Sequence, residues 1–235
     1  MIVAVDAGNS RIKWGIHDGS AWRAMGALPT EKASRLTEAA AGWPEGADVV
    51  ACCVAGPAVE AVVETAAAAS GRRLHWLRST ASAHGVRNAY EPPERLGADR
   101  WAAMIGARAR TAGASLVVCA GTATTIDWLD ADGLFHGGLI LPGMRLMCAA
   151  LSRHTAQLPY AEGEYRGEPR NTEDAIVSGC LHAQAGAIER MFAHAEGEAV
   201  CLLTGGAARR IAPCLNIPYR MEETLVLDGL LRCVS

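Results

Sequence analysis

The sequence predicts an α/β fold built from two similar lobes. Short runs rich in Val and Ile alternate along its 235 residues with Ala-rich segments of helical periodicity. Half of the residues are apolar, which is enough to bury a sizeable core in one large domain or two small ones. A hairpin pattern at 6–19 recurs at 119–133. These three observations favour two α/β lobes related by pseudo-twofold symmetry.

The first half is predicted to contain four strands and two helices. Apolar runs bounded by turn residues indicate the strands Ile2–Val5, Ile12–Ile16, Asp48–Val54 and Leu74–Leu77. Apolar residues at helical spacing indicate the helices Ala58–Ser70 and Asp99–Thr111. The polar stretch Arg78–Pro93 is rich in turn residues and is predicted to be a loop.

The pattern restarts in the second half with another apolar run and turn. Predicted strands are Ser115–Val118, Thr125–Leu129 and Val200–Leu203, and predicted helices are Gly143–Leu151, Asn171–Ala193, Ala207–Ile211 and Asp228–Val234. The segment Asp6-Ala-Gly-Asn-Ser aligns with Cys119-Ala-Gly-Thr-Ala. Since β-hairpins share composition, chance similarity is the alternative to a duplication. The duplication places the domain boundaries at 1–112 and 113–235.

Composition excludes several classes of function. The net charge is −3 and the basic residues form no block, so nucleic acid is not an expected partner. The N-terminal residues do not form a signal peptide, and no apolar window is long enough to span a membrane. The eight cysteines lack zinc-site spacing and are interpreted as reduced thiols of a cytoplasmic protein. Dinucleotide-binding GxGxxG, Walker A, HExxH and GxSxG motifs are all missing.

The segment Asp6–Lys13 is the first candidate for nucleotide binding. Gly8 permits a tight turn whose backbone N–H groups face outward, and Asn9-Ser10 adds side-chain donors for phosphate oxygens. Lys13 and Arg11 lie on one face of the following strand. Asp6 could hold Mg²⁺ through water. The alternative is an ordinary hairpin turn with a capping Asp.

Two further glycine-containing turns are candidates of the same kind. Gly121–Thr125 contains three hydroxyls after a glycine, although threonine is also a good strand former and could simply be packed. Thr204-Gly-Gly206 follows a strand and opens a helix, which would let an adenine or ribose approach the backbone closely. Alone, this last pattern is weak because many α/β proteins have it.

Asp99 and Arg100 lie at a predicted junction between a loop and a helix. An acidic residue there commonly stabilises the helix N-terminus, which is the structural interpretation of Asp99. The functional interpretation is a general base beside an Arg that grips a substrate carboxylate or a transferring phosphate. Phosphoryl transfer otherwise depends mostly on positioning and charge stabilisation.

Taken together, the motifs resemble those of type III pantothenate kinases, in family order and over nearly the whole chain. The segments that carry the resemblance are Asp6–Lys13, Tyr90–Arg100, Gly121–Asp127, Gly137–Gly143, Asn171-Thr172, Ser178-Gly179 and Thr204–Gly206. The beta-proteobacterial branch of Bvg accessory factor-like proteins is the most similar. The resemblance implies the acetate-and-sugar-kinase/Hsp70/actin (ASKHA) fold, with two ribonuclease-H-like lobes and an active-site cleft between them. It also implies ATP-dependent phosphorylation of pantothenate, the first step of coenzyme A biosynthesis.

The resemblance assigns roles residue by residue. It implies that ATP and Mg²⁺ are bound by Asp6, Ala7, Gly8, Asn9, Ser10, Arg11, Ile12, Lys13 and Thr122. It implies a pantothenate pocket made by Tyr90, Gly97, Ala98, Asp99, Arg100 and Thr172, with Asp99 as the catalytic proton acceptor. The family's pantothenate site lies near a homodimer interface, so a homodimer is expected.

One position departs from the family pattern. Family members commonly have an Asp that ligates a monovalent cation where this chain has Cys119. Because K⁺ prefers hard oxygen donors, the hypothesis is that this protein needs no K⁺ or NH₄⁺, or binds it differently, with Asp127 as another source of charge. Two functional alternatives stay open: an ASKHA kinase for another small hydroxylated substrate, and a regulatory protein of the same fold with little or no turnover.

Overall fold

The computed structural model describes residues 1–69, 71–154, 162–195 and 198–234. The chain forms two compact units. The first contains Met1–Ala112, Gly133–Phe135 and Thr224–Ser235, and the second contains Gly113–Asp132 and His136–Glu223. Within the described residues no helix is both long enough and apolar enough to cross a lipid bilayer.

The first unit is built on a five-stranded mixed sheet. Its strands are β1 (Ile2–Ala7), β2 (Arg11–His17), β3 (Trp22–Pro29), β4 (Asp48–Cys53) and β5 (Leu74–Trp76), in the order β3-β2-β1-β4-β5. Neighbouring strands among β1, β2 and β3 are antiparallel, whereas β4 and β5 run parallel to β1. A small hairpin, β6 (Ser82–Ala83) and β7 (Val86–Asn88), precedes the third helix of this unit.

Helices cover both faces of this sheet. A 3₁₀ turn at Thr30–Arg35, α1 (Leu36–Ala40) and α2 (Pro57–Ala68) bury their apolar residues against alternate residues of β1 and β4. The opposite face packs against α3 (Ala98–Arg110) and α7 (Leu225–Arg232). Asp6 lies on this second face, because the alternate residues Val5 and Ala7 belong to the first.

The second unit repeats the strand order of the first. Its strands are β8 (Ala114–Ala120), β9 (Ala123–Leu129), β10 (Leu134–Pro142), β11 (Ala199–Thr204) and β12 (Tyr219–Met221), in the order β10-β9-β8-β11-β12. As in the first unit, the first two strands form an antiparallel hairpin and the last two run parallel to the first. The duplication predicted from the two hairpins is therefore present in the whole sheet.

The core of the second unit lies on one face of its sheet. There α4 (Met144–His154), α5 (Thr172–Phe192) and α6 (Ala208–Ile211) pack on Leu116, Val118 and Ile126. Asn171 caps α5 by accepting a hydrogen bond from the backbone N–H of Asp174 at 2.8 Å. This cap explains why the sequence located the start of the long helix correctly.

Several elements differ from the sequence predictions. The strands β3, β10 and β12 were not predicted, because they are largely exposed and lack regular alternation of apolar and polar residues. The predicted loop Arg78–Pro93 contains the hairpin β6-β7. The helix predicted for Ala58–Ser70 ends at Ala68, and Ser70 lies outside the described residues.

The C-terminal helix belongs to the first unit and not to the residue range 113–235 that the duplication suggested for the second lobe. Two glycines account for this packing. A Cβ at position 229 would lie 1.8 Å from the carbonyl oxygen of Ala102, and one at position 106 would lie 2.1 Å from that of Leu225. Only glycines allow α3 and α7 to approach this closely.

Candidate active site

Asp6 lies near the end of β1, where two neighbouring strands place a cation and a thiol beside it. Lys13 on β2 and Cys52 on β4 are its register partners. The Cys52 thiol donates a hydrogen bond to Asp6 Oδ1 at 3.8 Å. Burial raises the pKa of Asp6 to about 6; Lys13 opposes this rise and the charge of Asp99 adds to it. The first unit therefore brings Asp6, Lys13 and Asp99 into one electrostatic site.

The turn after Asp6 is held by hydrogen bonds at Gly8, whereas its next two residues are exposed. The Gly8 N–H donates to the Arg11 carbonyl at 3.1 Å, and the Thr30 hydroxyl donates to the Gly8 carbonyl at 2.7 Å. The Asn9 and Ser10 side chains are exposed. Thr30 was missed by the sequence analysis because it is distant in sequence and belongs to no motif.

Ala7 and Ile12 flank this turn but their side chains face the interior. Both are fully buried in the core between the sheet and α1-α2. Any contact of these two residues with a nucleotide would therefore use backbone atoms. Arg11 and Lys13 are exposed or half-buried on the opposite face of β2, in agreement with strand alternation.

Asp99 is the second residue of α3 and is half-buried. Burial raises the pKa of its carboxyl group, against the hydrogen bond from the Arg100 backbone N–H, which is 2.8 Å from Oδ1, and the positive charge of Arg100. A Cβ at position 97 would lie 2.7 Å from the same oxygen, so Gly97 leaves the space that the carboxylate occupies. Ala98 is buried and contributes packing.

The loop before α3 holds Tyr90 beside Arg100. Asn88 accepts a hydrogen bond from the Tyr90 backbone N–H at 3.0 Å and donates to the carbonyls of Thr80 and Pro93, each at 3.1 Å. The Arg100 guanidinium lies over the Tyr90 ring, 5.6 Å from its centroid. Asn88 is thus a structural support of the predicted pocket that no sequence motif indicated.

In the second unit, Thr122 is exposed at the turn between β8 and β9. Its carbonyl accepts a hydrogen bond from the Gly143 N–H at 2.9 Å. Gly205, with a φ of +99°, packs so closely that a Cβ there would lie 2.4 Å from the Ala120 carbonyl oxygen. Three glycine-containing segments therefore meet at this turn, and their exposed backbone could accept a flat group.

The other two threonines of this segment are not exposed as Thr122 is. Thr124 and Thr125 are buried, and neither hydroxyl has a hydrogen-bond partner among the described residues. The interpretation of Gly121–Thr125 as three phosphate-facing hydroxyls is therefore wrong for two of them. Their side chains belong to the interior of the sheet, as the packing alternative held.

Cys119 occupies in β8 the position that Asp6 occupies in β1. It is in register with Thr125 on β9 and with Thr204 on β11. Asp127 is fully buried and, by strand alternation, lies on the same face of the sheet as Cys119. Gly138 makes room for this carboxylate, since a Cβ at 138 would lie 2.3 Å from Asp127 Oδ1. The direction of Asp127, which the sequence left open, is thus fixed.

Thr172 lies in a different place within the second unit. It is the first residue of α5 and lines an open apolar groove of about 460 Å³ between α4 and α5. The lining residues are Met147, Leu151, Thr172, Ala175, Ile176, Gly179 and Cys180. The structure of this unit does not bring Thr172 together with Thr122 through any described contact.

The residues around Asp6 fit a divalent cation that is shared with a ligand. The buried Asp6 carboxylate, whose proton affinity the charge of Asp99 raises, would gain from a positive charge beside it. In the described part of the chain, no group of three or more His, Cys, Asp or Glu side chains is placed to hold a metal alone. This donor set suits Mg²⁺, which usually binds one or two carboxylates together with water and substrate phosphates.

Fold and site together define a class. The repeated strand order is that of the two-lobed ASKHA fold. A solved structure described as a candidate 2-dehydro-3-deoxygalactonokinase from Sinorhizobium meliloti matches with a TM-score of 0.68 at 17% identity, over 100% of this chain and 98% of that one. A second solved structure is described as a candidate Baf family transcriptional activator from Campylobacter jejuni. It matches with a TM-score of 0.66 at 19% identity, over 99% of this chain and 96% of that one.

Sequence comparison identifies the family within this class. Residues 2–194 match the family described as type III pantothenate kinase. The chain is 53% identical over 233 residues to the type III pantothenate kinase of Aromatoleum aromaticum, covering 98% of this chain and 96% of that protein. The chain therefore belongs to the type III pantothenate kinase family, and the resemblance inferred from its motifs is confirmed.

Proposed function

We propose that this protein transfers the γ-phosphoryl group of ATP to the primary hydroxyl of pantothenate and releases 4′-phosphopantothenate and ADP. The observation that carries the proposal is the grouping of Asp6, Lys13 and Asp99 in the first unit of a chain of this family. A phosphate-facing cation and a proton acceptor are the two elements that phosphoryl transfer to an alcohol needs.

In the proposed reaction, the pantothenate hydroxyl oxygen forms a bond to the γ-phosphorus as the bond to the ADP oxygen breaks. Asp99 accepts the hydroxyl proton. Its raised pKa makes it a stronger base than a solvent-exposed Asp. Lys13, Arg11 and the Gly8 turn bind phosphate oxygens, and Thr122 contacts ATP from its own unit.

Mg²⁺ bound with ATP would be held by Asp6, through water, and would neutralise charge on the transferring phosphate. On the acceptor side, Tyr90, Arg100 and the backbone of Gly97-Ala98 bind pantothenate. Thr172 contributes from the groove between α4 and α5, which a second copy of the chain covers in a homodimer. We place the protein in the cytoplasm, where its eight cysteines, all free, would stay reduced.

The test is ATP-dependent phosphorylation of pantothenate by the purified protein, followed as ADP release and product mass. Asp99→Asn should lower kcat by about 10²- to 10⁴-fold, the usual effect of removing a general base. Glu60→Gln is the matched control. Glu60 is likewise an acidic residue in the first turn of a helix of the same unit, and it pairs with Arg78 outside the proposed site.

Turnover by the native protein and by Glu60→Gln, but not by Asp99→Asn, would support both the reaction and the base. Turnover undiminished in Asp99→Asn would refute the role of Asp99. No turnover by the native protein with pantothenate would refute the proposed reaction and favour a binding role for this chain.

A further inference from the structure

The Arg100 side chain lies against two aromatic rings in the first unit. Its guanidinium carbon is 5.6 Å from the centroid of the Tyr90 ring and 5.8 Å from that of Phe135. The two rings are stacked on one another, with centroids 6.3 Å apart and planes inclined by 13°. Arg100 is only 4% exposed and Phe135 is fully buried. A buried cation therefore faces two aligned π-systems.

Phe135 reaches this place through backbone contacts that are independent of Arg100. The start of β10 pairs with β7, and the Ala89 N–H donates to the Phe135 carbonyl at 3.1 Å. Gly133 permits the approach, since it has a φ of +78° and a Cβ there would lie 2.2 Å from the Gly85 carbonyl oxygen. Two glycines thus hold the Phe135 backbone against the hairpin that leads to Tyr90.

The chemistry of the stack restricts the guanidinium. A cation close to an aromatic face is attracted to the electron density of the ring, and this attraction grows as water is removed. An arginine side chain carries considerable rotamer freedom, so a group that fixes it before a ligand arrives lowers the cost of binding. An aliphatic side chain of similar volume would fill the same space without this attraction.

We propose that Phe135 is a positioning residue for the acceptor site: its ring holds the Arg100 guanidinium in the orientation that binds pantothenate. The proposal rests on the proposed role of Arg100 in binding that substrate. Phe135 makes no contact with the reacting atoms in this proposal. It acts through Arg100, and Tyr90 is stacked on its ring as part of the same support.

The primary test is the Phe135→Leu variant, which keeps an apolar side chain and removes the π-face. The KM for pantothenate should rise by about 3- to 30-fold, which corresponds to the usual range of cation–π contacts. The KM for ATP should stay within about twofold, because the nucleotide residues lie elsewhere. Phe135→Tyr, which keeps the ring, should retain a KM near the native value.

Two controls separate positioning from loss of stability. Leu36→Ala removes a fully buried side chain from the other core of the same unit, so it should lower the melting temperature and leave both KM values unchanged. In an Arg100→Lys background, Phe135→Leu should cause no further rise in the KM for pantothenate. A double-mutant cycle of this kind measures whether one residue acts through the other.

A final readout does not depend on turnover. Reaction of Arg100 with phenylglyoxal, followed by mass spectrometry of its peptide, should be faster in Phe135→Leu than in the native protein and in Leu36→Ala. The proposal is overturned if Phe135→Leu leaves the modification rate unchanged or raises the KM for ATP as much as the KM for pantothenate. It is also overturned if Phe135→Leu raises the KM for pantothenate as much in the Arg100→Lys background as in the native protein. If phenylglyoxal modifies Arg100 at the expected rates but the native protein does not phosphorylate pantothenate, the proposed reaction is refuted. The role of Phe135 toward that substrate is then refuted with it.

Discussion

At the scale of single residues, Asp6 shows the conflict between stability and function in this site. It is 9% exposed and its folded-state pKa is about 6, against 3.8 for an unperturbed Asp. The folded protein therefore binds more protons than the unfolded chain between these two values. The contribution of Asp6 to the free energy of unfolding is therefore fully present below about pH 4 and is lost as the pH rises through 6. The difference corresponds to about 3 kcal/mol in the free energy of unfolding.

We therefore predict that Asp6→Asn is more stable than the native protein at pH 8, by up to about 3 kcal/mol, and no more stable at pH 4. Urea unfolding at both pH values, without Mg²⁺ or nucleotide, measures this. Asp18→Asn is a control for which the opposite change in stability is expected. Hydrogen bonds from the Ala21 and Ser20 backbone N–H groups lower the pKa of Asp18, so its replacement should destabilise the protein at pH 8. Equal stabilisation by Asp6→Asn at both pH values would contradict the prediction.

A second prediction at this scale concerns Cys119. A neutral thiol is a poor ligand for K⁺, so native activity should be the same in K⁺ and Na⁺ salts. Cys119→Asp places a carboxylate beside Thr125 and Thr204 and should make activity respond to K⁺. Initial rates in matched chloride salts decide the question. Strict K⁺ dependence of the native protein would refute this prediction.

At the scale of elements, the contact between α3 and α7 depends on glycines that have no room for a side chain. Trp22 and Arg110 fix the same helix by donating hydrogen bonds to Asp228, at 2.9 and 2.6 Å. Because α3 begins at the Asp99 segment, the position of α7 also supports the candidate site.

Gly229→Ala should destabilise the protein by about 1–3 kcal/mol or more, because its methyl group would overlap the Ala102 carbonyl. Gly186→Ala is the matched control. Gly186 is also inside a helix, but a Cβ there would meet nothing within 4 Å, so alanine should stabilise by up to about 1 kcal/mol. Thermal and urea unfolding of both variants test this. Similar stability of the two variants would show that α3 and α7 can separate without cost.

Sequence patterns located the elements that bury a regular face and missed those that do not. Ile2–Val5 and Asp48–Val54 were predicted because each is an uninterrupted apolar run. The strand β10 begins at Leu134 and crosses Gly137-Gly138, so its pattern resembles a turn, although Gly138 makes room for Asp127. Phe135 was missed for the same reason. The available signal was weak: it is one of only two phenylalanines in the chain.

At the scale of the whole molecule, the sequence indicated the family because motifs from distant segments combined in one order. The residues that support the site were less accessible. Asn88 and Thr30 act through side-chain hydrogen bonds to backbone atoms, and such contacts leave no periodic pattern in a sequence. The structure places Asp6, Lys13 and Asp99, which the sequence proposed as site residues, in the same unit, and their roles stay predictions.

The apolar groove between α4 and α5 leads to a prediction about assembly. Leu146 and Leu151 on α4 are 46% and 36% exposed. If a second copy of the chain covers this surface, sedimentation should show a dimer, and Leu151→Arg should shift it to a monomer. Met25→Arg is the control, since Met25 is 54% exposed on β3 of the first unit and does not line the groove. A monomeric native protein, or an unchanged dimer in Leu151→Arg, would contradict the prediction.

The place of α7 in the first unit has a consequence for synthesis on the ribosome. The second unit draws its last residues from the segment that ends at Glu223, whereas the first unit receives α7 only afterwards. The part of the chain made first is therefore the part completed last. Until translation reaches Leu225–Arg232, the face of the first sheet that carries Asp6 lacks one of its two covering helices. The nascent chain therefore exposes this apolar surface from the synthesis of β5, which ends at Trp76, until the synthesis of α7.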